Sequence, residues 1–240
     1  MTSLRDIRRL DFGYFVRPAD ESLTRQARVE PCLGYLLRRP DGSLLFDTGM
    51  GVGPADLESH YRPVRRSLID ALHAVGARVD DIRWVINCHL HFDHCGANPQ
   101  LVGRPIFVQA TELAAAHSPE YTLSELVDFK GARYEELRGE AEPLPGVHVI
   151  PTPGHTPGHQ SVVIRCDDGT VIAAGQAHDI ASDFSSDYLA HGATLEGTSP
   201  LPAYRAWMDR LMEFDPARVY FAHDLSIWEP AAFAVSFGPE

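Results

Sequence analysis

Apolar residues along the chain fall into short runs separated by turn signals, and two intervals read as hairpins. Leu33 to Leu37 is apolar, and Pro40-Asp41-Gly42 follows before Leu44-Leu45-Phe46 returns. Pro presets φ in such a turn and Gly tolerates it. Val162 to Ile164, the Asp167-Asp168-Gly169 turn and Val171 to Ala174 repeat the arrangement. Trp84-Val85-Ile86, Val147 to Ile150 and Val219-Tyr220-Phe221 read as further strands. Val64, Leu68, Leu72 and Val75 recur at helical spacing before Gly76, which predicts a helix over 64–75. Trp207, Leu211 and Phe214 share one face of a second predicted helix, over 203–214. The polar, irregular stretch 115–142 predicts a loop or helical insertion beside a site. The pattern is mixed α/β with no internal repeat, and it leaves strand order open.

The 240 residues suffice for one large core, so a single domain over 1–240 is expected. Hydrophobic residues at 44% and charged residues at 22% fit an ordinary globular protein. A formal net charge of -12 disfavours nucleic acid and anionic membranes as partners, yet leaves room for a locally positive pocket. The opening MTSLRDIRRLDFGYF lacks an apolar run after its basic residues, so it does not read as a secretory signal. No stretch approaches the roughly 18 apolar residues of a membrane span. Cys32, Cys88, Cys95 and Cys166 are scattered without a C-x-x-C pair, and are expected as reduced thiols in a cytoplasmic protein. Cys88 and Cys95 flank the densest histidine motif; packing is favoured over ligation for both.

That motif is Asn87-Cys88-His89-Leu90-His91-Phe92-Asp93-His94-Cys95-Gly96, directly after a predicted strand. Imidazole and carboxylate are the usual ligands of zinc and of non-haem iron. A loop leaving a strand can turn alternate side chains toward one point, while Leu90 and Phe92 anchor it on the other side. Four ligand-type side chains at this density point to a metal centre rather than to a polar surface loop.

His89-x-His91-x-Asp93-His94 resembles the signature of the metallo-β-lactamase superfamily. Thr152-Pro153-Gly154-His155-Thr156-Pro157-Gly158-His159 is similar to its second histidine motif, Phe221-Ala222-His223-Asp224 to its last, and Leu45-Phe46-Asp47-Thr48-Gly49 to its upstream Asp-Thr-Gly segment. Within the superfamily, Phe46-Asp47-Thr48-Gly49-Met50 and the run from His91 to Asn98 most resemble N-acyl homoserine lactonases. The resemblance implies a four-layer αββα sandwich with the site at one edge of its two sheets. It implies a first metal on His89, His91 and His155, and a second on Asp93, His94 and His223. Asp47 and His159 would orient those ligands.

One position departs from the pattern. Where two-metal members carry a bridging Asp, the chain reads Ala173-Ala174-Gly175-Gln176-Ala177-His178-Asp179. Gln176 is neutral and a poor bridge, so one of two zinc sites is expected to be weak. Asp179 or His178 could substitute as a ligand, or Gln176 could contact substrate. Asp179 also stands where lactonases of this type carry a substrate-binding Tyr.

The chemistry suits hydrolysis, because a metal lowers the pKa of bound water from about 15.7 toward 7. A metal also stabilises the oxyanion, so no Ser nucleophile is required. Asp93 would ligate the second metal or, with that site empty, orient the water and shuttle its proton. The expected reaction is opening of a lactone or cleavage of a related carboxylic ester. Alternatives are thioester hydrolysis, as in glyoxalase II, and oxidation of persulfides at a single iron. A small-molecule substrate is expected, and the resemblance suggests a homodimer. Phe12, Tyr14, Phe15 and the stretch 183–191 are candidates for a pocket wall.

Overall fold

The computed structural model describes residues 2–22, 25–199 and 203–230. Twelve strands occur among them: β1 (Ile7–Arg17), β2 (Arg28–Leu37), β3 (Ser43–Phe46), β4 (Val64–Arg65), β5 (Ile82–Ile86), β6 (Ile106–Gln109), β7 (Tyr134–Leu137), β8 (Ala141–Leu144), β9 (Val147–Pro151), β10 (Gln160–Cys166), β11 (Gly169–Ala173) and β12 (Pro216–Tyr220). The α-helices are α1 (Ala55–Tyr61), α2 (Leu68–Ala74), α3 (Ala110–Ala116), α4 (Ser124–Val127), α5 (Ala181–Leu195) and α6 (Trp207–Met212). One sheet has the order β4-β1-β2-β3-β5-β6-β7 and the other β12-β11-β10-β9-β8.

Strand parity produces the layers, because successive side chains point to opposite faces. Leu44, Phe46 and Ile86 of the first sheet meet Val147, Val149, Val162, Ile164, Val171 and Ala173 of the second in one buried cluster. The intervening Leu45 and Val85 point the other way, onto Leu68 and Leu72 of α2 and onto Leu126 and Val127 of α4. On the far side, Val163, Ile172 and Val219 pack against Phe184 of α5 and Met208 and Leu211 of α6. The expected αββα sandwich is therefore present. Each such fully buried aliphatic side chain contributes roughly 1.5–3 kcal/mol through removal from water.

Both predicted hairpins form, as β2–β3 and β10–β11. The helix predicted over 64–75 is shorter. Val64 and Arg65 form β4, pairing with Tyr14 and Gly13 of β1, and Val64 is exposed. Ser67 then caps α2 by accepting the Asp70 N–H, so the helix starts at Leu68. The helix predicted over 203–214 is confined to 207–212, although Phe214 still packs in the core. The segment 115–142 holds the end of α3, the short α4 and the strand β7, whose parallel pairing with β6 extends the first sheet. The long β1 escapes the sequence pattern because its buried Leu10, Phe12 and Phe15 are interrupted by exposed Arg8, Arg9 and Asp11.

The sheets present one common edge. Strands β3, β5 and β6 run parallel and end there, as do β9, β11 and β12, while β2 and β10 start there. Backbone bonds join the sheets at this edge, from Leu33 N to Ala222 O (2.9 Å) and from Gln160 N to Cys88 O (2.9 Å).

Gly96 packs where no side chain fits: a Cβ there would lie 1.9 Å from Gly51 N and 2.1 Å from Met50 C. Both obstacles are backbone. Gly96→Ala is expected to cost on the order of 3 kcal/mol and to lower the melting temperature by about 6–12 °C. A melt within a degree of the parent protein would contradict this packing.

Candidate metal centre

The sequence-predicted residues converge at the common edge. The loop after β5 brings His89, His91, Asp93 and His94; the loop after β9 brings His155; the turn after β11 brings Gln176; and the residues after β12 bring His223. His91 Nδ1 and His155 Nε2 lie 3.1 Å apart. His89, His91 and His155 each offer a ring nitrogen within 4.8 Å of the others. His94 Nε2 and His223 Nε2 lie 3.2 Å apart, and Asp93 Oδ2 stands 3.4 Å from the first and 3.5 Å from the second. Ligands at about 2.0–2.1 Å around a tetrahedral zinc ion are separated by roughly 3.3–3.4 Å. Both groups of donors approach that spacing.

The hydrogen bonds on the outer nitrogens show which atoms face inward. His94 Nδ1 is bonded to Asp47 Oδ2 (3.0 Å), and His223 Nδ1 to the Pro31 carbonyl (2.9 Å). An Nδ1–H on each ring leaves two Nε2 lone pairs pointing at one another, an arrangement that repels unless a cation lies between. His89 Nε2 is buried and has no partner among the described residues. Such an orphaned nitrogen, beside two neighbouring imidazoles, fits a metal ion.

Electrostatics agree with the donor set. Burial, reinforced by His94 and the neighbouring imidazoles, drives the His89 pKa far down. Burial lowers His91 and His223, and takes His155 to about 3. These rings are therefore neutral at neutral pH, the form that ligates metal. His94 is the exception. Burial opposes its charge, but Cys88, Asp93 and Asp47 together raise its pKa well above the ordinary value. Without an ion, a proton on His94 answers the same negative surroundings. Burial likewise disfavours the Asp93 carboxylate, yet His94 and His223 keep its pKa well below the usual range.

Asp47 and His159 sit behind the cluster, where the sequence places supporting residues. Asp47 Oδ1 accepts the Cys88 backbone N–H (2.8 Å), while Oδ2 takes His94. His159 has both nitrogens engaged, Nδ1 with Thr152 Oγ1 (2.8 Å) and Nε2 accepting the Gln176 backbone N–H (3.0 Å). It has no lone pair left for an ion and holds the β11 turn instead. Cys88 and Cys95 are wholly buried, and burial raises both thiols. Cys88 Sγ contacts the Nδ1 atoms of His89 and His94 from behind.

Gln176 occupies the position expected of the bridging carboxylate. Its Oε1 lies 3.3 Å from His223 Nε2, facing the donor cluster, and its Nε2 donates to Asp179 Oδ1 (3.1 Å). Asp179 Oδ2 pairs with Arg28 at 3.2 Å, so both its oxygens have partners within the protein. His178 turns away: its Nε2 meets Asp187 at 2.9 Å, and its ring packs on Phe184 and Trp207.

A cavity of about 480 Å³ opens over the cluster, with His91, Asp93, His155 and Gln176 on its floor. Phe15, Leu57, Tyr61, Phe92 and Leu123 give it apolar walls. Of the predicted wall residues Phe15 is there, whereas Phe12 is core and Tyr14 is exposed. The stretch 183–191 is also displaced. It lies in α5 beneath the second sheet, and its Tyr188, Leu189 and His191 border a separate recess. The segment around Tyr121 to Leu123 does line the cavity, as its place beside a site predicts.

Sequence reasoning missed Arg17 and Glu112. Arg17 lines the cavity from the end of β1. Glu112, in the first turn of α3, is 1% exposed. Its Oε1 accepts the Leu90 backbone N–H (2.8 Å) and the Tyr121 hydroxyl, and its Oε2 accepts the Thr156 hydroxyl (2.7 Å). It thus ties together both histidine loops and the cavity segment. A lone Glu in a helical stretch carries no signal of this in sequence.

Comparison with known proteins agrees with this geometry. The family model of the metallo-beta-lactamase superfamily matches residues 27–223. An N-acyl homoserine lactonase of Bacillus sp. is 32% identical over 209 residues, covering 81% of this chain and 82% of the relative. The structure of Bacillus thuringiensis AiiA F107W with N-decanoyl-L-homoserine at its active site superposes with a TM-score of 0.74 at 27% identity, over 94% of this chain and 95% of that one. An N-acyl homoserine lactone hydrolase with N-hexanoyl-L-homoserine bound at its catalytic metal centre gives 0.73 at 25% identity, over 94% and 95% of the two chains. The chain belongs to the metallo-beta-lactamase superfamily. It is a metal-dependent hydrolase, and its relatives are N-acyl homoserine lactonases.

Glu112→Ala strips acceptors from a buried N–H and two hydroxyl groups. It is expected to cost about 3 kcal/mol or more and to weaken metal binding, because the loops bearing His89, His91 and His155 lose a common anchor. Thermal melting and metal titration check this; unchanged values in both would contradict it.

Proposed function

We propose that the chain opens a lactone, or cleaves a related carboxylic ester, at a centre of two zinc ions. The observation that carries this reading is the set of inward-facing donor atoms at tetrahedral-edge spacing, opening onto an apolar-walled cavity. His89, His91 and His155 would hold one ion, and Asp93, His94 and His223 the other, with the Gln176 carbonyl beside it. An all-imidazole and carboxylate donor set suits zinc. Gln176 brings no charge, so the second ion would be held more weakly than the first.

Zinc bound here would supply the Lewis acidity that yields hydroxide at neutral pH and polarises a carbonyl. Asp93, kept ionised inside the site, would ligate the second ion or, with that site empty, orient the attacking water and shuttle its proton. Asp47 and the Pro31 carbonyl hold His94 and His223 in the ligand tautomer. Phe15, Leu57 and Leu123 offer apolar surface to an acyl chain, while Tyr61 and Tyr121 narrow the cavity. The lactone class is supported by N-acyl homoserine products bound in related structures.

Elemental analysis of unchelated protein, followed by a lactone and ester panel, tests the reading. Close to two zinc ions with lactone opening supports it. A single iron with thiol-dependent oxygen uptake and no hydrolysis would replace it with persulfide oxidation. His91→Ala is expected to lose metal and activity together, and an active, loaded variant would sink the ligand assignment.

Gln176→Asp is expected to raise occupancy of the second ion, read by titrating the apo-protein with zinc. Unchanged second-site affinity would refute the role given to the neutral amide.

A further inference from the structure

Arg17 ends β1 at the same sheet edge as the histidine cluster, and only 9% of it is exposed. Its Nε donates to Glu30 Oε1 at 2.7 Å, and its Cζ stands 5.7 Å from the centre of the Phe15 ring. These contacts fix the side chain through one nitrogen. Among the described residues, neither terminal nitrogen donates a hydrogen bond. Glu30 meets both Arg17 Nε and Arg28 Nε through the same Oε1, while its Oε2 is buried and takes no hydrogen bond from the guanidinium. Asp179 directs its two oxygens to Arg28 and Gln176 instead.

The guanidinium lines the cavity whose floor is His91, Asp93, His155 and Gln176. Its charge is felt at Asp93, Asp179, His91 and His223, so it stands close to the donor cluster. A guanidinium does not shed its proton, and largely buried donors without acceptors cost free energy until a ligand or water meets them. The planar fork of two terminal N–H groups matches a carboxylate, or two oxygens of an ester.

We infer that Arg17 binds the carboxylate released at this centre, and the ester or lactone carbonyl oxygen that precedes it. The inference rests on the hydrolase reading for its reaction, but its core is a carboxylate subsite that is measurable without turnover. Hydrogen bonding of this kind places positive charge where the carbonyl oxygen becomes negative. The remaining Nε–Glu30 bond keeps the fork from following the product out of the cavity.

The test uses butyrate as the probe, titrated calorimetrically into metal-loaded wild type, Arg17→Ala and Arg17→Lys, each with its metal content measured. Arg17→Ala is expected to lose roughly tenfold to hundredfold in butyrate affinity with metal retained. Arg17→Lys should fall between, since it keeps the charge and loses the fork. Millimolar guanidinium should restore butyrate binding to Arg17→Ala, which a purely structural arginine would not allow. Affinity within twofold of wild type in both variants, or no butyrate binding to wild type, overturns the inference. If Arg17→Ala does not fold, Arg17→Lys decides by the same criterion. Arg17-dependent butyrate binding in a protein that opens no lactone or ester leaves the subsite standing and removes the hydrolase reading. An active wild type whose butyrate binding ignores Arg17 does the reverse.

Discussion

The buried Asp47 carboxylate is the constraint on which the arrangement of the site depends. It lies just past β3 with a left-handed φ of 61°, an uncommon conformation for a side chain other than glycine. That turn aims one oxygen at the Cys88 N–H and the other at His94. The start and the end of the histidine loop are thereby fixed to one residue of the neighbouring strand. A closed polar network completes the grip. Asn87 Nδ2 donates to the His94 carbonyl, Asn98 Nδ2 to Asn87 Oδ1, and Thr48 Oγ1 to Asn98 Oδ1. Every member is buried and paired, so the loop has one arrangement rather than several.

Much of this was legible in sequence because the signals are local. Dense ligand-type residues after an apolar strand identify the histidine loop, and the two Gly-containing turns identify the hairpins. Asp47 is legible only through its motif. What stayed hidden depends on contacts distant in the chain. Arg17 meets Glu30 across the β1–β2 pair, and Glu112 reaches loops 22 and 44 positions away. No periodicity reports such pairings. The 64–75 pattern misled for a related reason: Val64 has helical phase with Leu68, but an open edge of β1 offers its backbone a strand partner. Tertiary pairing overrode the local repeat.

Gln176 is fixed by its surroundings. The residue is held at two points, its backbone N–H on His159 and its side-chain N–H on Asp179, which turns the carbonyl toward His223. Asp179 is in turn anchored by Arg28. Burial disfavours its charge, but Arg17, His223, the Gln176 amide and Arg28 outweigh that and leave its pKa below the ordinary carboxylate value, so it acts as an acceptor throughout the neutral range. The amide therefore has a fixed orientation, with its oxygen and not its nitrogen toward the donor cluster.

The division of donors between the two sheets has a thermodynamic consequence. His89 and His91 follow a strand of the first sheet, while His155 follows a strand of the second. An ion held by all three would be a clasp across the sandwich, and unfolding would have to release it. The resistance of such a protein to denaturation then varies with the free metal of its surroundings, by about 4 kcal/mol when the free ion exceeds its dissociation constant a thousandfold. Metal scarcity would act on the lifetime of the folded chain as well as on its chemistry.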